Sequence, residues 1–174
     1  MNLKFTTKKI TIGAMMIAVV FVATMFASIP IPLGYANLGT LVIMLTAFFL
    51  GGEIAILSAG LGSMLADFAL GFPIWMPFTF VIKSVMVIIL LLFVNIARKK
   101  QVKIISFRVI LGSVILLSWH VAGYVFAGAL TSGSIEAGLV TGIPLMLEAA
   151  TNFILFIVTG TIIEKSGVTK FLKL

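Results

Sequence analysis

The chain has 174 residues, 61% of them hydrophobic and 10% charged, with no cysteine and a net charge of +7. Soluble domains carry about 25% charged residues, so this composition, with a mean hydropathy of +1.30, excludes a water-exposed globular surface. The lack of cysteine removes disulfides, thiolate metal sites and cysteine nucleophiles, and one histidine with five acids is little material for a metal cage.

A helix needs about 20 apolar residues to cross a bilayer core, and runs of that kind recur along the chain. The first, 10–28, follows Lys4, Lys8 and Lys9. It lacks a small-x-small cleavage site and five further spans follow, so it reads as a retained helix and not a signal peptide. The stretch IPIPLGYA at 29–36 holds two prolines and a glycine and predicts a loop. A short second span covers 37–50, Gly51, Gly52 and Glu53 make a tight turn, and a third span covers 53–71. FPIWM at 72–76 predicts a loop with an interfacial tryptophan. The fourth span, 77–97, opens on Pro77, where a missing N–H costs least. RKKQVK at 98–103 is a basic loop, the fifth span covers 107–130, and TSGSIEAG at 131–138 predicts a polar turn. A sixth span, 140–163, leads to a tail with Lys165, Lys170 and Lys173. The expected fold is a single all-α integral membrane domain over 1–174, with six transmembrane helices.

The charge distribution orients it. An even number of spans puts both termini on one side, and the three basic clumps fall on that side. The loops 29–36, 72–76 and 131–138 contain no Lys or Arg. The positive-inside rule then makes both termini cytoplasmic, in a multi-pass, bacterial-type plasma membrane protein. Basic residues clumped this way are a membrane signature, and no nucleic-acid partner is expected.

Intramembrane ionisable residues are costly and point to function. With a rise of about 1.5 Å per residue, Asp67 lies roughly 6 Å below the outer edge, and Lys83, Tyr124 and Glu148 roughly 9–10 Å below it. His120 and Asn152 come one turn deeper, at roughly 15–16 Å. Four helices therefore bring their most polar groups to one layer. Within it, His120 and Tyr124, Glu148 and Asn152, and Thr79 and Lys83 are each four apart and share a helix face. Gly51, Ala55, Ala59, Ser63, Asp67 and Gly71 form a four-residue stripe that lets a neighbouring backbone approach and turns Asp67 toward the bundle. Asp67 and Lys83 are candidates either for a structural ion pair or for ligand contact. Glu148 is left to share Lys83 or to pair with a protonated His120. Tyr35, Asn37 and Trp75 sit on or beside loops that would close over an outward-facing pocket, and Trp119 points about 100° away from His120 on its helix.

A mixed-charge pocket with aromatic rings suits a small polar heterocycle. Catalysis has less support: there is no Ser/His/Asp pattern, no H-E-x-x-H and no P-loop, so no catalytic residue and no metal site are named. A stand-alone channel or carrier is the other alternative, but no charged ring or pore-lining stripe is present. Without a nucleotide-binding motif, active transport requires partner subunits.

Several segments resemble the substrate-binding S components of energy-coupling-factor (ECF) vitamin transporters: AMMIA at 14–18, IPLGYANLG at 31–39, LADFALGFPIWMPFTFVIK at 65–83, and the late Glu148 and Asn152. The Asp-loop-Pro-x-x-Phe-x-x-Lys arrangement resembles the pyridoxine and hydroxymethylpyrimidine subgroup. The resemblance implies capture of a vitamin from outside, with Tyr35, Asn37, Asp67, Trp75, Lys83, His120, Tyr124, Glu148 and Asn152 as substrate-binding residues. It implies docking of the first span, through Ala14 and Ala18, on a T component driven by two ABC-type ATPase subunits. ATP and Mg²⁺ would be used by those partners, with no cofactor in this chain and no enzymatic activity of its own. Pyridoxine or hydroxymethylpyrimidine is the expected substrate and riboflavin the next.

Overall fold

The computed structural model describes residues 7–31, 33–97 and 103–166. Pro32 and the basic clumps at Lys4, at 98–100 and at Lys170 and Lys173 lie outside the described residues. In chain order the elements are α1 (Thr7–Phe26), β1 (Ser28–Ile31), β2 (Gly34–Asn37), α2 (Gly39–Phe49), α3 (Gly52–Ala69), a 3-10 turn (Pro73–Trp75), α4 (Met76–Ala97), α5 (Phe107–Ser132) and α6 (Ile135–Lys165).

Among the described residues, five helical segments are long and apolar enough to cross a membrane. The second predicted span falls short of that. With 11 residues, α2 rises about 16 Å, roughly half of a hydrocarbon core of about 30 Å. The missing length is in the segment before it. Residues 29–36, expected to be a loop, fold back as an antiparallel hairpin in which Ser28 pairs with Asn37 and Ile31 with Gly34. Leu33 turns the chain with a positive φ of 62°. Proline is tolerated at position 30 because a two-stranded ribbon has only edge strands. The hairpin backbone is paired across its two strands, and Ile31, Leu33, Gly34, Tyr35 and Asn37 line a cavity.

The second departure is at 131–138. Only Gly133, left-handed at φ 67°, and Ser134 interrupt the helices there. Ser134 caps α6 by accepting from Ala137 N–H at 3.2 Å, so α5 and α6 extend further than composition suggested. Gly138 lies inside α6, where an added Cβ would meet the Val125 carbonyl oxygen of α5 at 2.6 Å.

The long helices pack in the order α1, α3, α4, α5, α6, and α2 lies enclosed against α1, α3, α4 and α6. The small-residue stripe explains the α1–α3 contact and the burial of Asp67. Ala55, Ala59, Ser63 and Asp67 are all buried, and a Cβ on Gly62 would press on the Ile17 carbonyl of α1. Below the polar layer a core of Ile43, Met44, Met86, Leu90, Leu116 and Phe156 fills the bundle. Outward-facing apolar side chains such as Phe68, Val81, Leu92, Phe126, Leu147 and Ile154 are exposed, as a bilayer-facing surface requires.

Candidate functional site

The end of α3 sets the geometry. Phe72 N–H donates to the Asp67 carbonyl at 2.8 Å, and Gly71 takes the left-handed φ of 84° that lets the chain reverse. This reversal sets Phe72 against Tyr35 of the hairpin, ring centroids 5.6 Å apart. The following 3-10 turn brings Trp75 to 5.9 Å from Tyr124. Helix α4 then projects Thr79 and, one turn on, Lys83 inward, and both are buried.

Around these groups lies a partly open pocket lined by residues of the hairpin and of all the long helices. Its roof is the hairpin with Phe72 and Trp75, and its floor is polar. Three of its polar groups, Lys83, His120 and Glu148, close into a ring with Thr40, which lies behind the wall. Lys83 Nζ donates to Thr40 Oγ1 at 2.7 Å, and Thr40 donates to Glu148 Oε1 at 3.2 Å. Glu148 Oε1 lies 3.6 Å from His120 Nε2, and His120 Nδ1 lies 3.5 Å from Lys83 Nζ. The last two distances are longer than well-formed hydrogen bonds, so the Lys83–Thr40 link is the tight one. The Lys83 ammonium also sits 5.6 Å from the Tyr124 ring centroid, a cation–π distance.

Asp67 stands apart from this ring. Tyr35 O–H donates to its Oδ1 at 2.5 Å, tying the hairpin to α3. Burial, and then the carboxylate beside it, push the Tyr35 phenol well above its ordinary value, so it keeps its proton. Tyr124 O–H donates to Thr79 at 3.1 Å. Two carboxylate oxygens, Asp67 Oδ2 and Glu148 Oε2, are buried with no hydrogen-bond partner among the described residues. A carboxylate oxygen left like this is an acceptor waiting for a donor.

A family model for the S component of ECF-type riboflavin transporters matches residues 4–167. The chain belongs to this family. A protein of Pyrococcus woesei, described as an uncharacterized protein in the gap 3′ region, is 46% identical over 67 residues, 37% of this chain. The match spans 45% of that protein's length. As a member of this transporter family with several helices long and apolar enough to cross a bilayer, the chain is a multi-pass membrane protein.

In this S component the sequence-predicted residues sort as follows. Tyr35, Asn37, Asp67, Trp75, Lys83, His120, Tyr124 and Glu148 all line the one cavity. Asn152 does not. Its Nδ2 donates to the Asn37 carbonyl at 3.0 Å and to the Glu148 carbonyl at 2.9 Å, and its Oδ1 accepts from Leu41 N–H at 2.9 Å. It fastens the start of α2 to α6. Asn37, although on the wall, accepts from Gly39 N–H at 2.8 Å. Asp67 and Lys83 form no direct ion pair, because Tyr35 and Thr40 are their hydrogen-bond partners. Trp119 is partly exposed and donates to the Ile82 carbonyl at 3.1 Å, away from the cavity. Ala14 and Ala18 lie exposed on α1. Sequence reasoning did not single out Thr24, Thr40, Ser63 or Phe72. Hydroxyls and phenylalanines recur throughout these spans and carry no signal of their own; only Ser63, on the α3 stripe, had a positional hint.

Proposed function

We propose that this S component captures a small hydroxylated aromatic heterocycle, pyridoxine or hydroxymethylpyrimidine, from the outer side of the membrane. The observation that carries the reading is the pair of buried, unsatisfied carboxylate oxygens in an aromatic-walled cavity. An unsatisfied buried acceptor costs about 1–3 kcal/mol. A flat ring bearing several O–H or N–H donors recovers that cost at both oxygens while stacking near Trp75 and Tyr124. An anionic vitamin meets two carboxylates and is disfavoured.

Riboflavin is the second reading, favoured by the description of the matching family; its hydroxylated side chain also supplies donors. Calorimetric titration of the detergent-purified chain with pyridoxine, hydroxymethylpyrimidine and riboflavin separates them. Tight binding of either small heterocycle, with riboflavin much weaker, supports the first reading. Binding of riboflavin alone replaces it with the second, and binding of none rejects both.

The cavity faces outward and both termini are cytoplasmic in this reading. It is supported by the cavity-side segments 27–38, 70–76 and 133–134, which contain no Lys or Arg. Docking on the T component uses the exposed Ala14 and Ala18 face of α1, since small residues let a partner helix approach closely. ATP is hydrolysed by the two partner ATPases, and this chain is neither an enzyme nor a cofactor carrier. Ala14→Trp then leaves ligand binding intact and abolishes uptake in cells carrying the ATPase module; equal loss of both contradicts a separate docking face.

A further inference from the structure

Hydroxyls inside helices normally satisfy themselves on the carbonyl one turn back. Thr11, Thr46, Ser118, Thr151, Thr159 and Thr161 all do so here. Thr24 of α1 and Ser63 of α3 do not. They are 1% and 0% exposed, their hydroxyl oxygens have no hydrogen-bond partner among the described residues, and both residues are on the cavity wall. Ser84 and Ser113 are also without a partner, but they are not on that wall.

The two residues stand on helices that pack directly against each other. Ser63 is four residues before Asp67 on the buried stripe of α3, and α1 packs along the same helix. Thr24 Oγ1 presses against Gly39, a site where an added Cβ would collide with it. Asn37 Oδ1 accepts from Gly39 N–H, and Asp67 Oδ1 accepts from Tyr35. The groups of α1 and α3 on the wall that have no partner among the described residues are the two hydroxyls and Asp67 Oδ2. An alcohol, which donates one hydrogen bond and accepts others, matches that set; a charged arm does not.

We infer that Thr24 and Ser63 form a second recognition subsite that reads a hydroxyl-bearing substituent of the ligand, separate from the charged cluster of Lys83, His120 and Glu148. The inference builds on the aromatic-heterocycle reading by assigning the ligand's side arm. Among the described residues of α1 only Thr24 lines the cavity, so this subsite is also where bound ligand touches that helix.

The test compares matched ligands on wild type, Thr24→Val, Thr24→Ser and Ser63→Ala. Pyridoxine is paired with its 4-deoxy and 5-deoxy analogues, each with one hydroxymethyl reduced to methyl. Wild type is expected to bind one of the deoxy analogues at least fivefold more weakly than pyridoxine. Thr24→Val and Ser63→Ala weaken pyridoxine by a similar factor and leave that analogue unchanged, while Thr24→Ser keeps the discrimination. Equal weakening of all three ligands, or no change in any, overturns the subsite. If neither a B6 compound nor hydroxymethylpyrimidine binds wild type, the small-heterocycle reading fails by itself. Riboflavin and lumiflavin, which lacks the hydroxylated chain, then carry the same comparison, and discrimination that survives both substitutions overturns the subsite.

Discussion

Thr40 is absent from the cavity wall, yet it holds the cavity's charges in place. Its hydroxyl accepts from Lys83 and donates to Glu148, a double role that valine of the same shape cannot perform. A hydrogen bond to a charged group is worth about 1.5–3 kcal/mol; the 2.7 Å bond falls in that range and the 3.2 Å bond at or below its lower end. Thr40→Val therefore removes about 2–4 kcal/mol of interaction from the empty protein. Lys83 is 1% exposed and must find another acceptor. Glu148 Oε2 is an unsatisfied carboxylate oxygen of the same ring, and an ion pair there restores part of the stability. It also occupies the oxygen assigned to the ligand. The variant thus loses about one charge-assisted hydrogen bond to the ligand, roughly ten- to a hundredfold in affinity, while its melting temperature falls only a few degrees. Thr40→Ser keeps both roles and binds within a few-fold of wild type. Calorimetry and thermal melts on the three proteins read both quantities. Wild-type affinity in Thr40→Val, or a serine variant as weak as the valine, refutes the bridging role.

Tyr35→Phe removes the tie between hairpin and α3, so amide exchange across 28–37 quickens and melting falls; unchanged exchange contradicts the latch. The phenol's raised value also gives a pH signature. Its contribution is fully present below about pH 10, the ordinary phenol value, and is lost as pH rises above it, because the unfolded chain then releases a proton that the folded one keeps. The stability difference between wild type and Tyr35→Phe should shrink above that pH, and a difference that grows counts against it. Asn152→Ala breaks three buried hydrogen bonds to backbone and lowers the melting temperature by about 4–12 °C. Affinity measured on the folded fraction changes less than about fivefold, and lost binding with unchanged melting puts Asn152 in the site instead.

Depth was legible in the sequence because helical rise is nearly constant. Counting puts Asp67, Lys83, Tyr124 and Glu148 in one layer and His120 one turn below, and all five line one cavity. Periodicity likewise gave the buried face of α3. Which atom bonds which was not legible, since that depends on helix rotation and on segments outside the helices. Tyr35 takes Asp67 only because residues 29–36 fold back as a hairpin, and strands of four residues broken by proline leave no alternation to read. Gly138, the last residue of the predicted turn at 131–138, is a close-approach residue between α5 and α6. Asn152 had the depth and face of a ligand group, but backbone partners at the start of α2 claim it.

The central claim, that an aromatic vitamin fills the cavity beneath the hairpin, is tested most directly by what the protein carries. The chain is purified in mild detergent from cells grown in rich medium and denatured, and the released small molecules are identified by mass spectrometry against a Lys83→Met, Glu148→Gln control. The account predicts one hydroxylated aromatic heterocycle at near-stoichiometric amount from the wild type and little from the control. Equal amounts from both proteins, or a bound molecule with no aromatic ring, would contradict it.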